Sequence, residues 1–256
     1  MDELYEQSYR YLRDFMKTIG LLGGTGWSST IGYYKLLNEM VNQRLGGQHS
    51  AKILLKSIDY HDIKSNYGKD HEKVSQLLQQ ELSELITLNP DCIMICCNTL
   101  HKYYDIIKDQ LNSRIPVMHA VDLVTQHIKK QGYKRILLLA TKFTMEDDFF
   151  AKKLEHAGAE VTVPNPDERK EMAMIHDQLM QDVVTTEAKN YFQTLIHKHN
   201  NLDAVVLGCT EYPLLVDQAI SPLPLINPVY LQAESAVDFA LSEVACTDSH
   251  NDGMDL

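Results

Sequence analysis

The chain has 256 residues, 44% hydrophobic and 23% charged, ordinary for a globular protein and long enough for one large domain or two lobes of about 100–150 residues. A net charge of −11 argues against a phosphate-backbone binder, which needs clustered Lys and Arg, but leaves room for a small anion held by a few placed donors. Five cysteines, with Cys96 and Cys97 adjacent, do not form a secreted disulfide framework, and no basic leader or membrane-length apolar stretch is seen, so a cytoplasmic protein with no membrane or nucleic-acid partner is expected.

Tyr5, Tyr9, Leu12 and Phe15 with Met16 recur at helical spacing and predict a short amphipathic packing helix over 3–16, within an N-terminal extension over 1–17. The apolar run at 18–22 predicts a first strand. It is followed by the turn Gly23-Gly24-Thr25-Gly26 and a helix to Arg44, with Ser28 or Ser29 as a good N-cap. Next come a strand at 52–58, a helix at 70–88, the strand leading to Cys97, a helix at 99–112 and a strand at 115–118. A second series begins with a helix at 121–131 closed by Gly132. It continues with a strand at 135–140, a helix at 146–157 closed by Gly158, a strand at 160–163 and two helical stretches across 168–199. The Cys209 strand, a strand at 225–226, a helix at 230–243 and a frayed tail at 247–256 complete the chain.

Strands alternating with helices predict an α/β fold of mainly parallel sheets with right-handed crossovers. Two segments share one design. Asp91 and Asp203 each stand six residues before a cysteine, Cys97 and Cys209, across a short apolar run that reads as a buried strand. That likeness predicts two pseudo-symmetric lobes, 18–118 plus 223–246 and 119–222, with the active site in the cleft between them. Open α/β sheets bind ligands beyond strand C-termini, so one small molecule would meet a thiol on each side. A helix N-terminus should lower each thiol below its usual pKa of about 8.5. The backbone donors around Asn98, Thr99 and Thr210 stand where a carboxylate could bind. Two thiols flanking an α carbon suit inversion: a thiolate removes the proton from one face and a thiol delivers one to the other. Donors around the carboxylate would stabilise the carbanionic intermediate.

Cys97-Asn98-Thr99-Leu100-His101 with Gly208-Cys209-Thr210-Glu211, the opening from Gly20 to Tyr34, and the segment Arg44-Leu45-Gly46-Gly47-Gln48-His49-Ser50-Ala51 carry a resemblance. Over roughly 18–245 the chain resembles the aspartate/glutamate racemase superfamily, nearest its aspartate racemase and broad-specificity amino-acid racemase branch. The resemblance implies a cofactor-independent homodimer acting on a small-molecule amino acid, with Cys97 and Cys209 as the two acid/base groups. It also implies that Gly24, Thr25, Asn98, Thr99, Thr141, Thr144, Lys170 and Thr210 bind the substrate. The chain departs from the family pattern at Thr25, where Met is usual, at Ser28, where Glu is usual, and at Asn227-Pro228, where Asp-Thr is frequent. Aspartate-specific members carry an Arg after the second strand. The segment 57–63 has none and is acidic, which favours a neutral or basic substrate side chain.

Plainer readings stand beside these. Taken singly, Cys97 and Cys209 are ordinary buried cysteines, and it is the matched pair that points to catalysis. Cys92 and Cys96 read as core residues, with Cys96 pointing opposite to Cys97, and Cys246 as a tail thiol. Cys92, Cys96, Cys97 and His101 lack the convergent spacing of a zinc site, so no metal is assigned to them. His101 tunes the thiolate, caps a helix or packs. Glu211 and Tyr212 are wall residues, and Asp147-Asp148 a solvated face. The glycine turn lacks the third glycine of a dinucleotide fingerprint and the Gly-Lys-Ser/Thr of a P-loop. The rivals to a racemase are a non-catalytic amino-acid-binding protein on the same fold, a nicotinamide oxidoreductase, and a related superfamily isomerase.

Overall fold

The computed structural model describes residues 16–242 of the chain. Of the helix expected over 3–16 only Met16 is described, buried and outside any helix, and residues 3–15, Cys246 and the tail at 247–256 lie outside the described residues. Two parallel sheets dominate. The first has the order β2-β1-β3, built from β1 (Ile19–Gly23), β2 (Ile53–Ser57) and β3 (Cys92–Ile95), with Val117 bridging Ile93 on the outer side of β3. The second has the order β5-β4-β6-β7, from β4 (Arg135–Leu139), β5 (Glu160–Thr162), β6 (Ala204–Leu207) and β7 (Leu225–Ile226). Each sheet thus sets its first strand between its second and third, so the chain reverses its direction of winding beside β1 and again beside β4.

The two aspartates that mark the repeated design hold the starts of these strands together. Asp91 Oδ2 accepts from the Thr18 N–H at 2.6 Å, and Asp203 Oδ2 accepts from the Lys134 and Arg135 N–H groups at 2.9 and 2.8 Å. Asp91 N–H donates to Thr18 and Asp203 N–H to Arg135, both at 2.8 Å. The same carboxylate therefore starts the β1–β3 and β4–β6 ladders.

The helices are α1 (Trp27–Leu45), α2 (His61–Ser65), α3 (His71–Thr87), α4 (Leu100–Ile107), α5 (Ala120–Gln131), α6 (Lys142–Glu146), α7 (Phe149–His156), α8 (Pro166–Leu179), α9 (Thr186–Lys198) and α10 (Pro228–Leu241). Strand alternation divides the first sheet's side chains between two cores. Ile19, Leu21, Cys92, Met94 and Cys96 pack with α1 and α10, while Leu22, Ile93 and Ile95 pack with α3 and α4, against which Cys97 also lies. On α3, Val74, Leu78, Leu82 and Leu85 form one buried stripe, each side chain contributing about 1.5–3 kcal/mol by its burial. One continuous core fills the second sheet, from Val121 on α5 to Ile226 on β7.

Several expectations change. α1 begins at Trp27 with Gly26 as its N-cap and no side-chain cap, and the Ser29 and Thr30 hydroxyls, inside the first turn, donate back to the Gly26 carbonyl at 3.0 Å. The strand expected at 115–118 is a single bridge at Val117. The helix expected over 146–157 is two helices, because Asp148 sits at φ 67°, a left-handed conformation that interrupts the helical path. Gly132 caps α5 at φ 74°, as a C-terminal glycine should. None of the helices among the described residues is long and apolar enough to cross a membrane.

Candidate active site

Four residues, each two positions beyond the end of its strand, line one cavity of about 220 Å³: Thr25 after β1, Cys97 after β3, Thr141 after β4 and Cys209 after β6. These are the strands on either side of the two reversals, where open sheets form ligand crevices. The volume falls below the roughly 300–1,000 Å³ of sites for drug-sized ligands, which points to a small metabolite.

Glycine makes the close approach of the first loop possible. Gly24 has φ 84°, and a Cβ there would lie 2.3 Å from the Ile58 carbonyl oxygen. The turn is tied down by Gly24 N–H donating to Thr30 Oγ1 and Ile58 N–H donating to the Gly23 carbonyl, both at 3.0 Å. Thr25, thus placed, donates its hydroxyl to the Cys96 carbonyl at 2.8 Å. Gly26 lies against the other half of the site: a Cβ there would meet Glu211 Oε1 at 2.2 Å. Gly24 itself does not line the cavity; it holds the turn that does.

Cys97 stands at the start of α4, whose Leu100 N–H donates to the Cys97 carbonyl at 3.2 Å. Its sulfur lies 3.4 Å from the Tyr60 hydroxyl, which is 2.6 Å from the Tyr67 hydroxyl. Tyr67 can donate to Tyr60, leaving the Tyr60 proton for the sulfur. Burial pushes the Cys97 thiol up, while the Tyr60 hydroxyl and the Leu100 and Thr99 N–H groups pull it down. Burial prevails, so the thiol is raised and not lowered as the helix terminus alone would have it. Cys209 is pushed up further, by burial and by the adjacent Glu211 carboxylate. Its thiol donates to Glu211 Oε2 at 3.1 Å, as does the Thr210 hydroxyl at 2.9 Å.

Asn98, 3% exposed, lines the cavity with neither its Oδ1 nor its Nδ2 hydrogen-bonded. Buried polar atoms cost free energy unless they are paired, so a ligand offering both a donor and an acceptor is well matched here. Thr99, Thr144 and Thr141 form a hydroxyl chain with O···O distances of 2.9 and 3.0 Å, linking the loop after β3 to the loop after β4. Thr99 and Thr141 reach the cavity; Thr144, fully buried, supports both from behind. Thr210 lines the cavity as well. Lys170 does not: it is 73% exposed and pairs with Asp167 on the outer face of α8 at 3.6 Å.

From α8 it is Ala173, His176, Asp177 and, just past its end, Met180 that face the ligand space. Lys64 from α2 also lines it and makes no ion pair among the described residues. The acidic segment that argued against a cation near the second strand ends at residue 63, and the helical turn of α2 swings the next residue inward. Stacking of Phe143 on Tyr67 at 5.2 Å, and of Tyr67 on Tyr103 at 5.8 Å, closes this side of the cavity.

His101 lies outside the lining. Its Nε2 accepts from the Ala120 N–H at 3.1 Å, which leaves the proton on Nδ1 to donate to the Cys97 carbonyl, also at 3.1 Å. Burial drives its pKa down to about 3, so it is a neutral brace beneath the Cys97 loop. Asp147 is not simply solvated: it holds Lys102 of α4 at 2.6 Å and ties the loop after α6 to α4.

The Asp/Glu/Hydantoin racemase family model matches residues 22–236, most of the chain and all of this cavity. The chain belongs to that family. Among similar proteins, the broad specificity amino-acid racemase RacX of Bacillus subtilis is 24% identical over 174 residues, covering 68% of this chain and 75% of that one. A glutamate racemase of Streptococcus gordonii is 26% identical over 181 residues, covering 67% of each. A solved Asp/Glu racemase structure from Yersinia pestis superposes with a TM-score of 0.77 at 35% identity, over 88% of this chain and all of that one. An aspartate racemase homologue from Pyrococcus horikoshii gives 0.76 at 29% identity, over 88% and 99%. The family's proteins named here are racemases, a class of isomerase, and the two-lobed α/β architecture is shared.

Proposed function

We propose that the protein is a cofactor-independent amino-acid racemase that inverts the α carbon with Cys97 and Cys209 as its two bases. The observation that carries this reading is that both thiols, each two residues beyond an equivalent strand, line one small cavity. Burial raises both thiols. An incoming α-ammonium brings a positive charge that favours the thiolate and offsets that burial. The thiolate on one face takes the α proton, the thiol on the other gives one, and the carbanionic charge spreads into a carboxylate held by N–H and hydroxyl donors of Asn98, Thr99 and Thr210.

Lys64 and Asp177 bring opposite charges to the lining, which supports a broad range of polar side chains over a strict aspartate specificity. The division into lobes 18–118 with 223–246 and 119–222 belongs to the same reading. It is supported by the packing of Val229, Ala233, Val237 and Ala240 of α10 in the core of the first sheet. Trp27, Ile31, Tyr34 and Leu55, each about half exposed, form an apolar patch on which the homodimer would close. Free thiols at the centre of the mechanism fit a cytoplasmic, reducing location.

Circular dichroism of single-enantiomer amino acids, without any added cofactor, tests the reading. The signal should decay with wild-type protein and persist with Cys97→Ala or Cys209→Ala. Decay at the wild-type rate in either variant would remove the assignment. Light scattering tests the homodimer, with Ile31→Glu expected to give monomer.

A further inference from the structure

We propose that His176, Cys209 and Glu211 form a binding site for a thiophilic divalent cation, Zn2+ by its chemistry, and that occupancy shuts off the Cys209 thiol. The binding stands on geometry alone; its inhibitory consequence rests on the racemase reading.

The three side chains come from two separate stretches of the chain, α8 and the turn after β6. One imidazole nitrogen, the thiol sulfur and one carboxylate oxygen all lie within 4.8 Å of one another. All three residues line the cavity, so an ion has a route in. Cys209 and Glu211 are 4% and 3% exposed, and Glu211 Oε1 has no hydrogen-bond partner. A buried carboxylate with Oε1 unpaired and Oε2 held only by a thiol and a hydroxyl has no cation to balance it, and Oε2 is the oxygen that stands beside the thiol.

Thiolate, imidazole and carboxylate together are a zinc donor set, and three protein ligands with one open position is a zinc arrangement that leaves room for water or substrate. Zn–S of about 2.3 Å and Zn–O of about 2.0 Å place tetrahedral S and O ligands roughly 3.5 Å apart. Cys209 Sγ and Glu211 Oε2 already stand at 3.1 Å. His176, half-buried at the cavity wall, has its ring nitrogen within 4.8 Å of both other ligand atoms, so a side-chain adjustment brings it to that spacing. The ion displaces the Cys209 proton, which leaves to solvent; the S–H···O bond is replaced by Zn–S and Zn–O bonds, and no electrons move. Lys64, whose charge acts on His176, opposes the cation and weakens its binding. A sulfur bound to zinc can neither accept nor deliver the α proton.

Cobalt(II), a spectroscopic stand-in for zinc, tests the site. Titration of the purified full chain should give a saturable one-to-one thiolate-to-cobalt charge-transfer band that Zn2+ displaces. The band should persist in Cys97→Ala, vanish in Cys209→Ala and weaken about tenfold or more in His176→Ala and Glu211→Gln. Thermal unfolding of each variant, scored alongside, separates loss of a ligand from loss of fold. Absence of the band in wild type, survival in Cys209→Ala, or unchanged affinity in His176→Ala in a folded protein would overturn the site. Zn2+ should also inhibit racemisation competitively with substrate and reversibly by chelation. A band that behaves as expected without inhibition would overturn the regulatory half alone, and the cobalt spectrum remains readable even in a protein that racemises nothing.

Discussion

Replacing Glu211 with Gln should lower the pKa of Cys209 sharply. The Glu211 carboxylate accepts the Cys209 S–H at 3.1 Å, which stabilises the neutral thiol, and its charge opposes formation of the thiolate. Unit charges about 4 Å apart interact by about 4 kcal/mol at an effective dielectric constant near 20. Removing an interaction of that size from the charged form moves the thiol downward. The amide of Gln removes the charge, keeps the shape and leaves an N–H able to donate to the sulfur, so each change acts downward. The assay is the pH dependence of iodoacetamide labelling read at the Cys209 peptide by mass spectrometry. Site-specific detection keeps Cys92, pushed by burial up to about 12, and the likewise elevated Cys96 out of the signal. The labelling midpoint should fall in Glu211→Gln, and labelling of Cys209 at neutral pH should speed up about tenfold or more. An unchanged or raised midpoint would refute the electrostatic account of this half of the site.

Tyr60→Phe should act in the opposite sense on Cys97: losing a hydrogen bond to a thiolate, worth about 1.5–3 kcal/mol, raises that thiol and slows turnover at neutral pH about tenfold in the direction that uses Cys97 as the base, read as a shift of the acidic limb of the rate profile to higher pH. Gly24→Ala should destabilise the protein by about 2–4 kcal/mol in urea unfolding, because a Cβ meets the Ile58 carbonyl at positive φ; Gly47→Ala, at φ 54° with open space around it, should cost only about 1–2 kcal/mol. Lys64→Ala should reduce kcat/KM for acidic amino acids about tenfold, by roughly 1.4 kcal/mol, and Asp177→Ala should do the same for basic ones, so equal loss in both variants for all substrates would deny them a role in selectivity.

What the sequence made legible follows from periodicity and repetition. The two aspartate-to-cysteine runs announced two equivalent strands, and the structure gives them equivalent hydrogen bonds through Asp91 and Asp203. Thr25, Asn98, Thr99, Thr141 and Thr210 follow strands directly, so their positions could be placed from the chain and they reach the cavity. His176 could not be found this way, since only the packing of α8 over the second sheet brings it beside Cys209. Lys170 lies six residues earlier on the same helix and faces out. Glu211 was visible beside Cys209, yet its burial against Gly26 is a contact between distant loops that no local pattern encodes. α2 has five residues, too few to show periodicity, and with it went the two cavity residues Tyr60 and Lys64 at its start and end. The Asp148 break is a backbone choice that Asp tolerates but does not require.

The most direct test of two opposed bases is the fate of the α hydrogen in deuterium oxide. One enantiomer of a turned-over amino acid, stopped at low conversion and resolved by chiral chromatography with mass detection, should give product carrying one solvent deuterium while the remaining substrate keeps its protium. Product that retains the original α protium, or deuterium appearing equally in both enantiomers from the start, would mean that one group serves both faces and would contradict the assignment of Cys97 and Cys209 to opposite sides.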